Sequence, residues 1–267
     1  MNKKVALITG AGRGLGRAIA ESYHKAGFYV IASDINFELL GDLTNKENYL
    51  PIRLDVTSEK DIEESLLRIA RHSMAIDVLV SNAGILDFYS VAEAGGNKLR
   101  KIFDVNVLGL ANLTKHIMPF LIKSEGRLIV ISSESYKIPA PFQPYAVSKQ
   151  ALESLFNSIK LELMLKGVRS ILIRPGAIET QIMQDTITFN SDLSNSLFKK
   201  EFANFINAIP KYIGNVSSPE TVAKLVLKAA TSSKPKDVYH INHNKLVGLL
   251  SRLPLKLQAI IIRKSLQ

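Results

Sequence analysis

TGAGRGLG at residues 9–16 follows the apolar run Val5–Ile8 and leads directly into Arg17-Ala18-Ile19-Ala20, a helix-forming stretch. A strand that ends in a glycine turn and restarts as a helix is suited to holding a pyrophosphate. The glycines permit positive φ and let backbone approach the phosphates, and the new helix offers unpaired N–H groups and the positive end of its dipole. Gly10, Gly14 and Gly16 stand in a TGxxxGxG arrangement, with Gly12 between them, and no offset along the turn fits GxGxxG. Thr9, Gly10, Gly12, Arg13, Gly14, Leu15 and Gly16 are the candidate residues at the phosphate end of a dinucleotide.

Outward from this turn, apolar runs and amphipathic stretches alternate almost without pause. The pattern predicts strands at Val5–Thr9, Tyr29–Ser33, Tyr49–Leu54, Asp77–Ser81, Arg127–Ser132, Ser170–Arg174 and Asp237–Ile241, with helical stretches such as Glu59–Arg71, Lys98–Ile122 and Val147–Leu165 between them. Short, near-continuous apolar strands alternating with helices imply a parallel sheet covered on both faces. The rule of connection handedness then gives a doubly wound α/β fold of Rossmann type. No internal repeat or low-complexity linker interrupts it, so residues 1–241 read as one domain, with 242–267 as a separate tail.

The chain has 267 residues, 46% of them hydrophobic and 22% charged, enough for one large core. It contains no cysteine, which excludes disulfides, thiolate nucleophiles and cysteine-bound zinc or iron–sulfur centres. The five histidines, His24, His72, His116, His240 and His243, form no HExxH or carboxylate-supported cluster, so no metal is expected. No run of 18 apolar residues is present, and Val5–Ile8 is too short for a signal-peptide core, so a cytoplasmic protein is expected. Residues 199–267 hold 12 Lys/Arg against 3 Asp/Glu and carry almost all of the net charge of +10. A charge confined to a late segment is not the footprint of a nucleic-acid binder.

Asp34 closes the second predicted strand about 20 residues after the glycines, with Ile35 beside it. A carboxylate there accepts from both ribose hydroxyls and repels a 2′-phosphate, which favours NAD over NADP. Arg13, a guanidinium in the glycine turn, leaves NADP open.

YAVSK at 145–149 places a phenol and an ammonium one helical turn apart. A phenol titrates near ~10, so Tyr145 needs help to act as a base at neutral pH, and the charge of Lys149 favours the phenolate. Ser132 and Ser133 end the preceding strand, where a hydroxyl can donate to a substrate oxygen as charge develops on it.

These segments occur in order with LDVT at 54–57, SNAG at 81–84, Asn106 within DVNVLG, and RPGAIET at 174–180. Over residues 4 to about 241 the chain resembles the short-chain dehydrogenase/reductase family. The resemblance implies that Tyr145 is the general acid/base, that Lys149 lowers its pKa and binds the nicotinamide ribose, and that Asn106 holds a water in a proton relay. It places Asp55 and Val56 at the adenine, Asn82, Ala83 and Gly84 along the cofactor, and Pro175, Gly176, Ile178 and Thr180 at the nicotinamide. The family's serine precedes the tyrosine by about 13 residues, whereas Ser133 precedes Tyr145 by 12 and Ser132 by 13. A loop between Glu134 and Pro144 shortened by one residue makes Ser133 the expected donor and leaves Ser132 open. The family also implies a homodimer or homotetramer through the helices at 98–122 and 147–165.

Residues 177–216 break the strand–helix rhythm where such sheets bind ligands, and read as a substrate lid. Tyr136, Phe142 and Phe189, with Phe198, Phe202 and Phe205, are expected to form an apolar chamber over the nicotinamide. A lipophilic alcohol or ketone, such as a steroid, retinoid or long-chain compound, fits that chamber. The tail from 244 has five Lys/Arg and no acid, with two leucine/isoleucine stripes separated at Pro254. It reads either as a pair of basic amphipathic helices on an anionic membrane surface or as a segment folded over the domain or a partner subunit. It resembles tails of retinol and 17β-hydroxysteroid dehydrogenase relatives. The expected activity is NAD(P)-dependent alcohol–carbonyl interconversion. The alternatives are an NAD(P)-sensing regulator that keeps the fold without turnover, and a sugar-nucleotide epimerase or dehydratase; the four intact catalytic residues argue against the first, the short C-terminal region and the glycine spacing against the second.

Overall fold

The computed structural model describes residues 3–72, 75–138, 140–179, 196–242 and 244–266. Among them, seven strands pair in parallel in the order β3-β2-β1-β4-β5-β6-β7. These are β1 (Val5–Thr9), β2 (Tyr29–Asp34), β3 (Tyr49–Arg53), β4 (Val78–Ser81), β5 (Arg127–Ile131), β6 (Arg169–Pro175) and β7 (Val238–Ile241). All seven predicted strands form, each within a residue of the expected bounds. The apolar runs are continuous rather than alternating because both faces are covered, and β1 is buried along its whole length.

One face of the sheet packs against α1 (Gly14–Lys25) and α7 (Pro219–Thr231). Ile19 and Tyr23 of α1 meet Val222, Ala223 and Val226 of α7 in that layer, all fully buried. Ser218 caps α7 by accepting from the Thr221 N–H at 3.3 Å, with Pro219 in the first turn. The other face is covered by α2 (Glu59–His72), α4 (Gly109–Lys123) and α5 (Pro144–Met164), through Ile62, Ile69, Leu110, Leu113, Ile117, Leu152 and Phe156. The order of strands reverses between β1 and β4, so crossovers leave the two in opposite directions and open a crevice at their C-terminal ends.

The expected helix at Lys98–Ile122 is longer and is interrupted. It begins as α3 (Val91–Phe103), which is broken at Gly95 (φ +64°), passes through a π-helical turn at Asp104–Leu108 and continues as α4. By length and composition 91–123 is apolar enough to cross a membrane, yet its α4 part packs on β4, α2 and α5. Its hydropathy is that of a helix flanking a sheet.

Beyond β6, Ile178 bridges Ser217, and α6 spans Lys199–Tyr212. The tail forms α8 (Lys245–Leu250) and α9 (Leu255–Leu266) on either side of Pro254. Leu266 and Ile262 of α9 pack against Phe202, Phe205 and Phe142, and the Asn204 amide donates to the Leu266 carbonyl at 2.8 Å. The tail therefore folds back on its own domain with one face.

Candidate active site

The crevice at the β1–β4 switch is a cavity of about 580 Å³, and most of the expected residues line it. At one end stand Gly10, Arg13, Gly14, Leu15, Gly16, Asp34, Ile35, Asp55 and Val56. Along the middle lie Asn82, Ala83 and Gly84, and at the far end Ser133, Tyr145, Lys149, Pro175, Gly176 and Ile178. Thr180 and Phe189 fall outside the described residues.

The turn is shaped for close approach. Gly10 has φ +65°, and a Cβ on Gly16 would sit 1.9 Å from the Gly10 carbonyl oxygen. Arg13, the N-cap of α1, makes no side-chain cap, and the first turn of the helix carries no acid. Its N–H groups and dipole thus face the crevice uncompensated, as an anion site requires. Arg17 is turned away to Glu21, at 3.0 Å, and to Asp42. Thr9 and Gly12 do not line the cavity but build it. The Thr9 hydroxyl accepts from the N–H groups of Asn82 and Ala83 at 3.1 and 3.0 Å, and Asn82 returns its amide to the Thr9 carbonyl at 2.9 Å. Asp34 takes the Gly12 N–H on one oxygen at 2.9 Å and the Asn36 N–H on the other at 3.0 Å. A carboxylate offers about four lone-pair positions, so two remain for ribose hydroxyls. These features fit a dinucleotide.

At the other end, Pro144 starts α5 and sets Tyr145 and Lys149 on its first two turns. Lys149 is buried and donates to the Ile131 carbonyl at 2.9 Å, with its nitrogen 5.5 Å from the centre of the Tyr145 ring. Burial pulls the ammonium down to about 8, opposed by the charge of Glu153. Burial pushes the Tyr145 phenol up to about 12, and a hydrogen bond with Ser133 works the other way. The phenol is thus held neutral and in contact with the serine, ready to give a proton.

The two serines are separated by their partners. Ser132 is buried and donates to Glu153 at 2.6 Å, while Ser133 reaches Tyr145 and accepts from the Ser135 hydroxyl at 2.9 Å. Asn106 lies in the π turn, where one helical residue is displaced toward the site. Its side chain does not line the cavity. It exchanges hydrogen bonds with the Ile85 backbone at 2.8 and 2.9 Å and donates to Ser148 at 2.9 Å, and Ser148 donates to the Tyr145 carbonyl at 2.7 Å. Asn106 therefore braces the loop after β4 against the start of α5.

The expected aromatic chamber is corrected in its members. Tyr136 does not line the cavity; its half-buried ring lies 4.1 Å from the Arg174 guanidinium carbon. Phe142 is buried away from the cavity in a cluster with Phe198, Phe202 and Phe205, its ring 5.2 Å from that of Phe202. It holds φ +62°, costly for a bulky residue, and edge contacts with Phe198 and Phe202 and a tilted contact with Phe205 offset that cost. Among the described residues, Leu86, Phe88, Ile209 and Ile213 instead supply the apolar outer lining, with Gln143, Ser135 and the Lys101 ammonium as polar groups of the cavity. Spacing reasoning missed these because they come from loops, from α3 and from one end of α6, with no shared motif. Glu153 and Arg174 were missed too, although a carboxylate one turn beyond Lys149 on a buried helical face was a visible signal.

The model for the short chain dehydrogenase family matches residues 4–190. The oxidoreductase YusZ of Bacillus subtilis (strain 168), itself uncharacterized, is 30% identical over 264 residues, covering 94% of each chain. An NADPH-dependent 3-dehydrocapnine reductase of Ornithobacterium rhinotracheale is 28% identical over 255 residues, with 91% of this chain and 90% of the relative covered. The crystal structure of a short-chain dehydrogenase from Streptomyces avermitilis superposes with a TM-score of 0.79 at 25% identity, covering 100% of this chain and 95% of that one. A family match over most of the sheet, coinciding with the glycine turn and the Ser133–Tyr145–Lys149 cluster, makes this chain a member of the short-chain dehydrogenase family and an oxidoreductase.

Proposed function

We propose that the protein interconverts an alcohol and a ketone or aldehyde with NAD(P), by hydride transfer coupled to proton transfer through Tyr145. The observation that carries this is one continuous cavity with the glycine turn at one end and Ser133, Tyr145 and Lys149 at the other. A bound NAD(P) supplies or accepts the hydride at its nicotinamide. The residues do the rest. Ser133 donates to the substrate oxygen, Tyr145 gives that oxygen a proton in reduction and removes it in oxidation, and the Lys149 ammonium stabilises the phenolate left behind.

Asp34 supports NAD as the cofactor, because its charge lies where a 2′-phosphate would come. Arg13 beside it, and a relative named for NADPH, support the other choice. NADH and NADPH titrated by fluorescence, then supplied with a panel of lipophilic ketones, decide both points. NADH is expected to bind more tightly, and Asp34→Asn to cut that preference by ~10-fold, about 1.4 kcal/mol. Equal affinity in both proteins would remove Asp34 from cofactor choice. The wall formed by Leu86, Phe88, Ile209 and Ile213 supports a lipophilic substrate. If only polar carbonyls are turned over, that part of the proposal falls.

The face of the tail turned away from the domain supports peripheral contact with an anionic membrane. On α9, Leu257, Ile260 and Ile261 are exposed beside Lys256 and Lys264, opposite Ile262 and Leu266 that pack on the domain. Such a surface pairs apolar insertion with charge attraction. The protein should float with vesicles containing phosphatidylserine, not with phosphatidylcholine alone, and raised salt should release it. Leu257→Gln with Ile260→Gln should abolish flotation. Retained flotation would rule out the tail as the contact.

A further inference from the structure

Glu153 is 6% exposed and takes three hydrogen bonds: from Ser132 at 2.6 Å, from Arg174 Nε at 3.0 Å and from Arg174 Nη2 at 2.6 Å. The Arg174 guanidinium is covered on its other side by the Tyr136 ring. None of these four side chains has a part in the proton transfer described above, yet three of them stand next to residues that line the site. Ser132 precedes Ser133 at the end of β5. Arg174 precedes Pro175 and Gly176 at the end of β6. Glu153 stands one helical turn beyond Lys149 on α5. The three elements that carry the donor serine, the nicotinamide end and the Tyr–Lys pair are thus tied together at one carboxylate.

We propose that Glu153 is a positioning residue for the reaction, strapping the ends of β5 and β6 to α5 and holding Lys149 in its ammonium form. A buried ion pair is a poor device for stability alone, since well-packed apolar residues of similar volume do as well or better. Its place here answers an electrostatic need. Lys149 is buried, and the hydrogen bond seen at its nitrogen is to a neutral carbonyl, which does not repay the desolvation of a cation. Glu153 is the charge that opposes that desolvation. The charged and titratable groups facing Glu153 are Arg174 from β6, Tyr136 from the turn after β5 and Lys149 from its own helix; Tyr145 is the titratable group beside Lys149.

The inference rests on the reading of Tyr145 and Lys149 as the proton-transfer pair, and the test has one arm that needs no turnover. In selectively ¹³C-lysine-labelled protein, the ε-methylene resonance that disappears in K149M reports the Lys149 titration directly. E153Q keeps the shape and an acceptor oxygen and removes the charge. Its Lys149 midpoint is expected to fall by ~1 pH unit. The alkaline limb of carbonyl reduction should move down with it, because reduction needs a neutral phenol and a charged lysine together, while kcat on the acid plateau changes little. E153D should restore both. S132A, which cuts one strap without touching the charge, should leave the midpoint where it is.

A midpoint unmoved by E153Q, or moved as far by S132A, would overturn the proposal. If E153Q does not fold because Arg174 is left buried and unpaired, R174Q tests the same charge from the other side: it frees Glu153 of its cation, the Lys149 midpoint is expected to rise, and an unmoved midpoint would overturn the proposal. If no carbonyl is reduced by any of these proteins, the proposed function fails, and the lysine titration still decides the role of Glu153.

Discussion

Tyr145→Phe is expected to lose ~10²–10⁴-fold in kcat, the range that general acid–base catalysis supplies, while binding NADH as the parent does. The phenol oxygen is the one polar atom this substitution removes. The ring stays in place on the first turn of α5, whose start is fixed by Pro144 and by the Ser148 hydrogen bond to the Tyr145 carbonyl at 2.7 Å. Lys149 keeps its bond to Ile131, so the nicotinamide end of the cavity keeps its shape. A split between lost kcat and preserved cofactor affinity, read by stopped-flow turnover and fluorescence titration on the same preparation, separates a proton donor from a packing residue. Turnover within tenfold of the parent would refute the assignment of Tyr145. Loss of NADH binding in parallel with turnover would instead mark it as part of the scaffold.

Gly16→Ala should have the second largest effect, on cofactor binding and on stability together. The added methyl would lie 1.9 Å from the Gly10 carbonyl oxygen and 2.6 Å from the Asn82 amide nitrogen. The first of these is backbone and cannot rotate away, so the turn itself must shift. Overpacking of this kind costs about 1–3 kcal/mol, and here the upper end is expected. In a domain of this size that lowers the melting temperature by roughly 6–12 °C. Because the displaced atoms are those proposed to cradle the phosphates, affinity for NADH should fall by ~100-fold, about 2.7 kcal/mol. The check is thermal melting with and without NADH, which should stabilise the parent and leave the variant almost unmoved. An unchanged melting point with normal NADH stabilisation would mean that the turn tolerates the methyl.

The sheet was legible in the sequence because a parallel strand covered on both faces is written as an unbroken apolar run. Val5–Thr9 and Arg127–Ile131 announce themselves without reference to neighbours. The glycine turn and YAVSK were legible for a different reason: each packs its chemistry into consecutive residues, so spacing alone carries it. The outer wall of the cavity was not. Leu86, Phe88, Ile209 and Ile213 are ordinary apolar residues brought together from the loop after β4 and the end of α6, far apart in sequence. Phe142 shows the same limit from the other side. Its composition suggested a chamber wall, and a positive φ turns the ring into the cluster beneath the tail. The serine ambiguity had the same root. Counting residues to Tyr145 matched Ser132 and a shortened loop was needed to prefer Ser133; the structure separates them by partner, Ser132 on Glu153 and Ser133 on Tyr145.

Helix α6 belongs to two structures at once. Its C-terminal end gives Ile209, and the residue after it Ile213, to the wall of the cavity; its middle gives Phe202 and Phe205 to the cluster shared with α9. The glycine turn, Asn106, Ser133, Tyr145 and Lys149 all lie before residue 150, whereas this part of the wall and its support come from the last third of the chain. Side-chain changes along α6 therefore bear on the wall of the cavity and on the seating of the tail together.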